Sequence, residues 1–96
     1  MAMDQKVQIK ASDEDLKGRY ANIVMVSHTK EEFVLDFIQN ALPAAQLISR
    51  MVVHPGHAKR ILHALNEQVK QYEKTFGELE AVAPNEAQFG FRNQAL

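Results

Sequence analysis

The alternation of apolar and polar positions begins at residues 6–11, where Val7, Ile9 and Ala11 are interleaved with Lys6, Gln8 and Lys10. This period of two predicts a half-buried edge strand. The polar run Ser12-Asp13-Glu14-Asp15 and the Lys17-Gly18 step predict a turn after it. Residues 20–26, Tyr-Ala-Asn-Ile-Val-Met-Val, are apolar on both alternating faces, as in a central strand. The polar stretch 27–30 predicts a hairpin connection, and residues 33–38 a third strand, apolar on both faces except at Asp36. Pro43, which cannot donate to a ladder, marks the second turn, and residues 46–53 make the fourth strand.

The period then changes. Ala58, Ile61, Leu62, Leu65, Val69, Tyr72 and Phe76 recur at three- and four-residue spacing, and Lys59, Arg60, His63, Glu67, Lys70, Glu73 and Lys74 fill the other face of the helix they predict. Pro55 suits the first turn, where its missing N–H leaves no gap, and Gly77 suits a left-handed C-terminal cap. The pattern fades after Gly77. The expected architecture is therefore α+β: one β-β-β-β-α domain over residues 1–77, a four-stranded antiparallel meander with one long C-terminal helix packed on one face, followed by a mobile tail at 78–96.

Turn positions give a register and so two faces. A turn about Thr29 and Lys30 sets Val26 against Phe33, Val24 against Leu35 and Asn22 against Phe37; a turn about Pro43 sets Phe33 against Val53, Leu35 against Met51 and Asp36 against Arg50. Val24, Val26, Phe33, Leu35, Phe37, Met51 and Val53 then form the seat for the helix. Ile23, Met25, Val34, Ile38, Ile48 and Val52 form the opposite face around Asp36 and Arg50, and no second helix is predicted to cover it. Monomers seldom expose a contiguous apolar patch above a few hundred Å². The expected partner is a second copy of the chain, as a homodimer or higher oligomer, or else another protein.

Composition narrows the chemistry. With 96 residues there is room for one small core, and with no cysteine neither a disulfide nor a cysteine-bound zinc can supplement it. The net charge of −1 gives no general pull toward nucleic acid or anionic lipid. Residues 1–10 lack the apolar region of a signal peptide and no run approaches a membrane span, so the expected location is cytoplasmic with no membrane partner. No Ser-His-Asp set, close carboxylate pair or cofactor fingerprint is present, and neither an enzyme nor a cofactor is expected. His54, His57, Lys59 and Arg60 cluster at the helix start, where free amides favour anions. They form the alternative reading, a phosphate or nucleic-acid site. His54 and His57 have no acidic companion nearby for a metal, and His63 lies on the polar side.

The order Gly18-Arg19-Tyr20-Ala21-Asn22, Ser27-His28, Glu32-Phe33-Val34-Leu35-Asp36-Phe37, Arg50, Pro55, His57-Ala58-Lys59-Arg60 and Tyr72-Glu73-Lys74-Thr75-Phe76-Gly77 resembles a prokaryotic domain-of-unknown-function family, the one numbered 3467. The likeness spans residues 18–77. Members usually carry a small polar residue before the helix proline and Glu after it, where this chain has His54 and Gly56. The resemblance implies a domain and no chemistry. The meander followed by a long helix is also similar to the layout of the export chaperone SecB, which implies a chaperone-like assembly by fold analogy alone.

Overall fold

The computed structural model describes residues 6–41 and 43–80. The chain is α+β: helix α1 (Asp13–Lys17), strands β1 (Ile23–His28), β2 (Phe33–Ala41) and β3 (Ala44–Val53), and helix α2 (Pro55–Phe76). The strands form one antiparallel sheet in the order β1-β2-β3.

The strand expected over residues 6–11 is not formed, so the sheet has three strands and not four. Residues 6–12 hold no regular structure, with Val7 82 % and Ile9 90 % exposed. Alternation specifies which side chains would share a face, but a strand also needs a neighbour to take its backbone hydrogen bonds. The expected turn that follows is helix α1 instead. The Asp15 amide donates to Ser12 Oγ, and the Ser12 amide donates to Asp15 Oδ2, both at 3.1 Å. This reciprocal box satisfies two amides that would otherwise lack partners. Gly18, at φ 76°, ends the turn.

In the β1–β2 hairpin the strands run two residues further than the polar stretch suggests. His28 pairs with Phe33, Val26 with Leu35 and Val24 with Phe37. Thr29 makes the connection by itself: its Oγ1 accepts from the Glu31 and Glu32 amides at 3.2 Å, and its amide donates to the Glu32 carbonyl at 2.9 Å. The shift from the expected pairing is two residues, an even number, so every side chain keeps its expected face. Asn22 extends the ladder beyond β1, its Oδ1 accepting from the Asn40 amide at 2.8 Å and its Nδ2 donating to the Asn40 carbonyl at 3.2 Å.

Between β2 and β3 the expected pairs Phe33–Val53, Leu35–Met51 and Asp36–Arg50 are all present. A bulge after Phe37–Ser49 then sets Ile38 opposite Leu47. Ile48, expected opposite Ile38, is the extra residue and has no cross-strand partner.

The chain divides into two compact units, residues 1–61 and 62–96. In the first, the buried residues are Ile38 and Asp36, each 4 % exposed, in the middle of the central strand. Val24, Val26 and Met51, expected beneath the helix, are exposed. Helix α2 has the predicted 22 residues, and Gly77, at φ 102°, ends it with its amide on the Glu73 carbonyl at 2.9 Å. None of its residues is buried, and Leu62, Leu65, Tyr72 and Phe76 are exposed. Beyond Glu80 the expected mobile tail lies outside the described residues.

Candidate functional site

The sheet face around Asp36 joins a charged pair to a set of apolar groups. On an antiparallel ladder, directly opposed residues share a face, so the register brings Ile23, Met25, Val34, Ile38 and Val52 together around Asp36 and Arg50. Leu47 takes the place expected for Ile48. Ile48 instead belongs with the elements near α1: its carbonyl accepts from Arg19 Nη1 at 3.1 Å, and with Arg19, Phe37 and Ser49 it lines an open depression of about 540 Å³. Leu47 had no sequence signal, because a bulge depends on local pairing energy and leaves no mark in alternation.

Arg50 grips Asp36 with both arms of its guanidinium. Nε donates to Oδ1 at 2.7 Å and Nη2 donates to Oδ2 at 3.0 Å. The Asp36 side chain is only 6 % exposed, whereas that of Arg50 is 51 % exposed. These bonds hold the Asp36 carboxyl below its ordinary value, and the opposing effect of burial is smaller; the same contact raises Arg50 further. A carboxylate with both oxygens engaged and a lowered pKa is a poor general base. The pair is suited to fixing register and to neutralising charge on an otherwise apolar face.

At the start of α2 the structure uses His54 as a cap. Its carbonyl accepts from the His57 and Ala58 amides at 2.9 and 3.0 Å, and its Nδ1 accepts from the Gly56 amide at 3.0 Å. Since Pro55 has no amide hydrogen, each amide of the first turn has a partner within the chain. The anion reading is left with the side chains of His57, Lys59 and Arg60, all exposed. A side chain at position 56 would bring Cβ within 3.3 Å of His54 Nδ1. His54 and Gly56 are thus neighbours in the cap, since a side chain at position 56 would require the imidazole to give by a few tenths of an ångström. His63 is exposed, and among the described residues no three His, Cys, Asp or Glu residues converge as metal ligands. His28 stacks on Phe33 across the first hairpin, with centroids 5.2 Å apart. No helix among the described residues is long and apolar enough to cross a membrane.

The chain belongs to the family described as Protein of unknown function (DUF3467), whose model matches residues 1–81. No curated protein and no solved structure matches it. The likeness to SecB is therefore not shown, and the four-strand layout behind it has three strands here.

Proposed function

We propose that this DUF3467 member is a non-catalytic interaction module that works by self-association and has a chaperone-like capacity to hold apolar segments of other proteins. One observation carries this reading. Among the described residues the only buried ones are Ile38 and Asp36, while Val24, Val26, Leu47, Met51, Val52, Leu62 and Leu65 remain exposed. Burial of a side chain of this kind contributes about 1.5–3 kcal/mol, so an isolated copy forgoes most of the driving force for folding. A second copy supplies the missing cover. The sheet face left open to it is the one that carries Val24, Val26 and Met51, all exposed, whereas Ile38 and Asp36 on the opposite face are already buried.

Sedimentation equilibrium of the full chain between about 1 and 100 μM tests the reading, that being the range in which weak dimers form. A dimer or larger species is expected; a monomer of 10.9 kDa throughout overturns it. Binding to immobilised nucleic acid that weakens steeply with salt would favour the alternative through His57, Lys59 and Arg60.

A further inference from the structure

The apolar stripe of α2 is narrow, and its spacing identifies what fits it. Ala58, Leu62, Leu65, Val69, Tyr72 and Phe76 follow one another at intervals of four, three, four, three and four residues. That is an uninterrupted a/d heptad seam. A helix lying on a sheet or in a globular core generally broadens its stripe into a flanking e or g column. Here the flanks are polar beyond the first turns: Lys59, Asn66 and Glu73 on one side, Gln68 and Thr75 on the other, with Ile61 the exception. Leu62 is 68 % and Phe76 72 % exposed on this seam. A strict seam matches another helix of the same pitch.

We propose that α2 pairs with the α2 of a second copy as a short antiparallel coiled coil. The inference rests on the self-association proposed above and adds to its sheet contact a second one through the helix. Two independent features select the antiparallel direction. The first is volume. Antiparallel layers set Ala58 opposite Phe76, Leu62 opposite Tyr72 and Leu65 opposite Val69, so a small side chain meets a large one and the layers have similar volume. Parallel layers would set Ala58 against itself and crowd two Phe76 rings, beside two Tyr72 rings, at the far end. Within one copy those rings already lie against each other, with centroids 5.0 Å apart. The second feature is charge. Antiparallel helices bring like flanks together, which places Lys59 of each copy beside Glu73 of the other, twice by symmetry. In a parallel pair neither residue meets an opposite charge.

Charge reversal tests the pairing. Lys59 and Glu73 are fourteen residues apart on one helix, about 21 Å along its axis, and so cannot pair within a copy. Lys59→Glu and Glu73→Lys should each weaken the dimer about five- to tenfold at low salt, and the double reversal should restore it to within about twofold. Glu73 also accepts from the Leu79 amide at 3.0 Å, so Lys59→Glu, which leaves that contact alone, is the cleaner single change. Leu65→Lys, in a central layer, should weaken association at least about a hundredfold. A dimer indifferent to all of these changes overturns the coiled coil while leaving self-association standing. A dimer sensitive to Leu65→Lys but not rescued by the double reversal overturns the antiparallel arrangement. A wild-type monomer removes the premise itself.

Discussion

In the sheet, Asp36 finds Arg50 fourteen residues away, and each strand depends on a neighbour for its backbone bonds. In α2, His54, Pro55 and Gly77 set the limits with partners a few residues away. A local signal survives whatever the rest of the chain does. A long-range one requires the partner to arrive in register, which is why residues 6–11, with good alternation and no partner, form no strand. The helix is thus complete as secondary structure yet buries none of its residues, whereas the sheet holds both residues that are buried among those described.

The comparison breaks most visibly at Asp36. Asp36→Ala leaves Arg50 without its bidentate partner in the central pairing of the sheet, and a fall in Tm of more than about 5 °C is expected for a domain this small. Asp36→Leu with Arg50→Met should recover most of the loss, because no charge is then unpaired. Thermal melts of the two variants check this. Near-equal Tm values would mean that the pair does not hold the sheet together.

Acid gives a reversible version of the same test. The Asp36 pKa is lowered by the fold, so its contribution is fully present above the ordinary carboxylate value of about 3.9 and is lost as pH falls through the lower folded value. The stability gap between wild type and Asp36→Asn should therefore be constant from about pH 5 to 7 and close below about pH 3.9. Chemical denaturation at several pH values would measure it, and a gap independent of pH down to 2 would argue against the ion pair.

Changes in the helix are expected to be smaller and to stay local. Gly77→Ala puts a Cβ on a residue at φ 102° and should cost about 1 kcal/mol, seen as faster amide exchange in the last turn with the sheet unaffected. Smaller still, His54→Ser with Gly56→Glu exchanges the imidazole cap for a hydroxyl cap with an acidic first turn. A gain of about 0.5 kcal/mol is expected. His54→Ser alone should achieve less, and equal effects would show that the two positions are not coupled.

The face assignment was legible because alternation is insensitive to an even shift: Val24 and Val26 keep their side although each pairs two residues away from its expected partner. The charged pair was read from a turn centred on Pro43; the ladder in fact closes on Ala41–Ala44, and Asp36 meets Arg50 because the bulge at Ile48 shifts the register by one residue. Ile48 was misplaced because nothing in the order of side chains announces that one residue will bulge. The cap at α1 was present in the sequence, as Ser12 three residues before Asp15, but it lay inside a polar run that reads equally well as a turn.

By itself the sequence determined the limits of α2 and the two-sided apolar character of the strands. These depend on side-chain period and on proline and glycine geometry, which act over short stretches of chain. Only the tertiary structure decided that the sheet has three strands, that Leu47 and not Ile48 opposes Ile38, and that the first-turn amides of α2 are taken up by His54. Each of these is a competition for hydrogen-bond partners, and its outcome depends on which backbone groups come within reach of one another once the chain has folded.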